Sequence, residues 1–97
     1  MYDINYLKSQ RRKLRKDIKR YLVAFRDDVV ADYGIELPTE DEINLMNKKD
    51  FDKFIVDNYS KFLSKQENDL VFIEILESYM CFTNNIENLE YAKTIMP

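Results

Sequence analysis

A single glycine, Gly34, and two prolines, Pro38 and Pro97, punctuate a chain of 97 residues. A sheet protein of this length needs several tight turns built on glycine, Asn-Gly or proline. So few breakers leave room only for few, long elements, and the period of the apolar residues says which kind. Ile4, Leu7, Leu14, Ile18, Tyr21, Leu22, Phe25, Val29 and Tyr33 recur at three- and four-residue intervals. At about 100° per residue all of them fall within about 60° of Ile18, which is one stripe of a helix. The spacing predicts one helix over most of residues 5–33, the longest of the chain, N-capped by Asp3 or Asn5 and closed by Gly34 in the left-handed conformation.

Residues 34–38 then read as a short connection, because Pro38 discourages a helix from continuing. Thr39-Glu40-Asp41-Glu42 is a capping box that opens a brief helix carrying Ile43, Leu45 and Met46. Asn47-Lys48-Lys49 is expected to interrupt it before Asp50 caps the next helix. In that helix Phe51, Phe54, Ile55, Tyr59, Phe62 and Leu63 line one face, with Asp52, Asp57 and Lys61 outside it. After a polar break at residues 64–69 comes the most apolar helix, with Val71, Phe72, Ile73, Ile75, Leu76, Tyr79, Met80 and Phe82. Thr83-Asn84-Asn85 is expected to end it, leaving Ile86, Leu89, Ala92 and Met96 to a short last helix. The sum is a single all-α domain, a compact bundle of four or five helices with short loops and antiparallel neighbours. Its expected core includes Leu14, Ile18, Leu22, Phe25, Phe51, Ile55, Phe62, Phe72, Leu76 and Tyr79.

Composition places the chain among folded proteins: 45% of its residues are apolar, and 34% are charged with both signs abundant. The lone Cys81 forms no intramolecular disulfide, and no leader-like apolar run precedes a cleavage-like site, so a reducing cytoplasm is the expected setting. The longest apolar stretch, residues 70–82, is thirteen residues with two glutamates inside it, short of the roughly 20 that a membrane span requires. Phe, Tyr, Met, Ile, Asn and Lys number 44 against 11 for Gly, Ala, Arg and Pro, the signature of an AT-rich genome, bacterial or phage-like.

Catalysis has little to stand on. The chain has no histidine, the commonest general base and metal ligand, and Cys81 has no basic neighbour in sequence to lower its pKa. Glu74 and Glu77 share a strip at i and i+3 without the histidine that a di-iron site adds, Asp50-Phe51-Asp52 lacks the glycine and distal glutamate of a calcium loop, and one glycine makes no phosphate loop. No cofactor and no metal site are expected.

Charge distribution is what remains. Residues 1–26 hold nine bases and two acids, net +7, whereas residues 27–97 hold six bases and sixteen acids, net −10. Lys8, Arg12, Lys13, Lys16, Lys19 and Arg20 fall on the back of the first helix, away from the stripe. They form either a solvated face or a broad electrostatic surface for a nucleic-acid backbone; a membrane-surface helix would have to pull Ile18, Leu22 and Phe25 out of the core. Arg11 alone projects into the stripe, so either the first turns overhang the core or Arg11 meets a buried acid. Asp27, Asp28, Asp32, Glu36, Glu40, Asp41 and Glu42 follow with no base among them. About 24 Å of helix separates Lys16 from Asp32, beyond the roughly 8 Å Debye length. The acidic segment serves either solubility and capping or a protein partner. A non-catalytic regulatory or assembly protein that binds a protein partner through it is the first expectation, and a sequence-tolerant nucleic-acid binder the second. An antiparallel homodimer of first helices, with Val23 and Val30 as apolar contact and Arg11 meeting an acid across it, is also consistent with the two poles.

Overall fold

The computed structural model describes residues 3–65, 67 and 69–95, and among them there are helices and no strand. In chain order the helices are α1 (Ile4–Ala24), α2 (Arg26–Tyr33), α3 (Glu40–Leu45), α4 (Lys48–Ser64) and α5 (Leu70–Ile95). Met96, assigned above to the last apolar face, lies outside the described residues.

Local chemistry sets most boundaries. The Asp3 carboxylate accepts from the Asn5 amide to start α1. Gly34 ends α2 at φ 63°, and its amide donates to the Val30 carbonyl, a conformation costly to any residue with a Cβ. Thr39 and Glu42 satisfy each other's amides at the start of α3. At α4 the cap is Asn47, whose side chain accepts from the Asp50 amide at 2.8 Å; Asp50 is a first-turn residue and not the cap expected of it.

The major helices pack by their contacts at either end. Lys8 pairs with Glu90 at 3.1 Å, and Tyr21 stacks on Phe72 with ring centroids 3.9 Å apart, so α1 runs antiparallel to α5. Phe51 meets Tyr79 and Phe62 meets Phe72 edge-on, which sets α4 antiparallel to α5 as well. It follows that α1 and α4 run in the same direction, with α2, the connection and α3 carrying the chain back between them. One cluster of buried side chains joins Ile18, Leu22, Val29, Phe51, Ile55, Phe62, Phe72, Leu76 and Tyr79.

Two long-range expectations are corrected. The first helix is not continuous to Gly34: Phe25 leaves helical geometry at φ −115° and ψ 34°. Tyr21 already lies against Phe72 and Asp69 at the start of α5, so a straight α1 would run out of surface to pack on. The bend turns Tyr33 onto Phe62 and Phe72 instead and places Asp27 and Asp28 in a new first turn, where the helix dipole favours acids. Phe25, expected in the core, sits at this elbow half exposed, and Leu14 is only partly buried against the core. Conversely α5 does not stop at Thr83-Asn84-Asn85, and its 26 residues make it the longest helix. Thr83 and Ile86 are both buried and extend the stripe of Phe72, Leu76 and Tyr79. That burial against α1 outweighs the ~0.7 kcal/mol by which each asparagine disfavours a helix.

Asp69 joins two of these elements. One carboxylate oxygen accepts from the Phe72 amide at the start of α5, and the other accepts from the Tyr21 hydroxyl at 2.8 Å. Burial first, and then the bond to Asp69 and its charge, push the Tyr21 hydroxyl well above the ordinary tyrosine range. Burial also raises Tyr33 and Tyr59. A raised pKa means the folded chain keeps a proton that the unfolded chain gives up, so this contribution is full below about pH 10 and is lost above it. Urea midpoints are expected to hold level to about pH 9.5 and then to fall, with a shallower alkaline fall in Tyr21→Phe. An unchanged alkaline slope in that variant would remove Tyr21 from the linkage.

Candidate functional site

The acidic segment lies on α2, the connection and α3. Asp27 and Asp28 occupy the first turn of α2, Asp32 its end, Glu36 the connection, and Glu40 and Asp41 the first turn of α3; all six are exposed. None of them forms an ion pair among the described residues. The backbone beneath them is fixed: the Arg26 guanidinium donates to the carbonyls of Leu37 and Pro38, and Ile35 is buried. The acids do not converge on one groove. Glu40 faces Lys16, Lys19 and Arg20 across a shallow groove between α1 and α3, whereas Glu36 and Glu42 share another with Lys61 and Asn58.

The basic run is divided by the fold. Lys8 is taken up by Glu90, and Arg20 lies 3.9 Å from Asp17. Lys19 turns inward, donating to the Met46 carbonyl at 2.8 Å and lying over the Phe51 ring, and burial pushes its ammonium below the usual lysine range. Arg12, Lys13 and Lys16 stay exposed and have no ion pair among the described residues. Val23 is partly buried against the core, and of the two valines offered for a dimer contact only Val30 is exposed.

Arg11 resolves the question its position raised. It is 4% exposed, and of the acids of its own chain that act on it Asp52 acts most strongly, ahead of Glu90 and Glu87. Asp52 was expected outside the α4 face, yet it precedes Ile55, Tyr59 and Phe62 at three- and four-residue steps, a signal present in the sequence. Its carboxylate accepts from the Tyr79 hydroxyl. Burial pushes Asp52 above the usual carboxylate range, opposed by the charges of Arg11, Arg15 and Lys48. Burial likewise lowers Arg11 and Arg15, with Asp52 opposing. Asp52 thus offsets the charge of Arg11 without pairing with it, since no ion pair forms between them, and the Arg11 Nε is buried with no hydrogen-bond partner.

Among the described residues no group of three or more His, Cys, Asp or Glu side chains is placed to hold a metal ion, and no helix is long and apolar enough to cross a membrane. Cys81 is free and exposed. No protein-family model matches the chain, and no curated protein or solved structure matches it either, so fold and charge alone carry the functional argument.

Proposed function

We propose that this chain is a non-catalytic regulatory or assembly protein of the reducing cytoplasm, which binds a basic surface of a protein partner through Asp27, Asp28, Asp32, Glu36, Glu40 and Asp41. The observation that carries this reading is that all six carboxylates are exposed and unpaired on a backbone held by the Gly34 cap, the Arg26 clamp and the Thr39 capping box. A preformed array loses little conformational freedom on binding. Charges of one sign also speed encounter with the opposite sign and set a strong salt dependence. Modulation or inhibition of an enzyme with a positively charged surface fits such an array.

A second reading rests on Arg12, Lys13 and Lys16, which are exposed and unpaired and would contact a nucleic-acid backbone without reading sequence. One experiment separates the two. Capture of a partner from the native host, with nuclease treatment, is followed by binding to that partner with the six acids changed to amides and, separately, with Arg12, Lys13 and Lys16 changed to glutamine. The first reading expects nuclease-resistant capture that weakens about tenfold or more in the amide variant only. Loss confined to the glutamine variant, together with salt-sensitive binding to DNA or RNA at about 50 mM salt, would replace it with the second.

A further inference from the structure

The unpartnered Arg11 does not face a sealed core. Together with Asn47, Lys48, Lys49, Asp52, Glu87 and Glu90 it lines a groove of about 510 Å³ between the start of α4 and the later turns of α5, within the size range of small-molecule sites. We propose that this groove is a binding site for a small phosphate-bearing ligand, with Arg11 as its buried anchor and the first amides of α4 as further donors.

Three independent observations meet there. Arg11 is an always-charged donor set at the wall of the groove that makes no ion pair, and its Nε is buried without a hydrogen-bond partner. Guanidinium groups match phosphate oxygens in pairs, and such charge-assisted bonds are the strong ones. Next, α4 is 17 residues long and its N-terminus opens at the groove; the Asn47 side chain caps only the Asp50 amide, and those of Lys48 and Lys49 have no acceptor in the cap. Free amides at a helix start, with the dipole behind them, favour an anion. Lastly, Lys48 and Lys49 add charge at the rim, and Lys8 and Arg15 stand close enough to act on Lys48 and Arg11.

The carboxylates in the groove narrow the ligand. Asp52 is engaged by Tyr79, and Glu90 by Lys8. Glu87 is exposed and without an ion pair among the described residues; it stands close enough to act on Arg11 and Asp52, and there it would repel a second anionic group and accept from a hydroxyl or ammonium. The groove therefore selects a single phosphate, free or as a monoester whose remainder donates hydrogen bonds.

The test is an NMR titration of the full chain with inorganic phosphate and, separately, with glycerol 3-phosphate, each against sodium chloride at matched ionic strength. Saturable shifts of the Lys48 and Lys49 amides and of the Arg11 Nε–H are expected. The better of the two probes tells free phosphate from a monoester. Affinity should drop about tenfold or more in Arg11→Gln, because the lost bonds are to a charged group. Shifts that do not saturate beyond those of chloride, or an affinity unchanged in Arg11→Gln, overturn the site. Should circular dichroism find Arg11→Gln unfolded, the exposed Lys48→Met decides: weakened binding supports the site, and unchanged binding overturns it.

Discussion

Replacing Leu76 with alanine is expected to lower the stability of the protein by about 2–5 kcal/mol. Leu76 has 0% exposure and belongs to the cluster that joins α1, α4 and α5 through Ile18, Ile55 and Tyr79. Truncation removes the transfer energy of the lost methine and methyl groups and leaves a void. The void closes poorly, because the aromatic rings around α5 are fixed edge-on against one another. In a domain of this size each kcal/mol moves the midpoint by about 4–8 °C. The melting temperature should therefore fall by roughly 8–40 °C. Val71→Ala, five residues earlier on the same helix at 68% exposure, is the control and should move stability by less than about 0.5 kcal/mol. A cost below about 1 kcal/mol for Leu76→Ala, or equal costs for the two, would show that α5 does not lie with this face inward.

Arg11→Met should act in the opposite direction and raise stability by about 1–4 kcal/mol. Methionine follows nearly the same path as the arginine stem and fills irregular space well. The Nε of Arg11 is buried without a hydrogen-bond partner, and Asp52 returns only part of the cost of burial because it forms no ion pair with Arg11. Arg15 and Lys48 remain to hold the charge of Asp52. Thermal and urea unfolding of Arg11→Met beside the exposed Arg12→Met measure the effect, the second variant being expected within about 0.5 kcal/mol of the parent. A loss of more than about 1 kcal/mol in Arg11→Met would mean that the guanidinium supports the fold directly. A gain fits a charge retained for binding at the expense of stability.

What the sequence disclosed and what it withheld divide along the range of the interaction. Gly34, the Thr39–Glu42 box and the Asp3 cap act within four residues, and each boundary they mark stands in the fold. The stripe of α4 and that of α5 as far as Tyr79 are equally local, and Phe51, Ile55, Phe62, Phe72, Leu76 and Tyr79 are buried accordingly. The break at Phe25 was hidden because its cause is distant: α5 begins opposite Tyr21, and nothing in residues 20–30 encodes where residue 70 will lie. The continuity of α5 through Thr83 was hidden for the same reason, since the surface that rewards it belongs to α1. At the charged faces, exposure of Asp27, Asp28, Asp32, Glu36, Glu40 and Asp41 followed from composition and capping. The inward turn of Lys19 did not, because a long side chain on the margin of a stripe goes where an acceptor, here the Met46 carbonyl, happens to be.

The pairing of α1 with α5 also governs the order of events on the ribosome. Lys8 waits for Glu90, and Tyr21 for Phe72, so the N-terminal segment leaves the exit tunnel with its apolar stripe uncovered. At about 5–20 residues per second the partner follows only after several seconds. Over that interval the nascent helix is an amphipathic stretch without a cover, the kind of surface on which chaperones and aggregation compete. The eight cations of residues 8–20 repel a second nascent chain during that delay and hold the segment in solution. The pairing of α1 with α5 joins residues more than 50 positions apart, a loop-closure cost that bundles built from neighbouring hairpins do not meet.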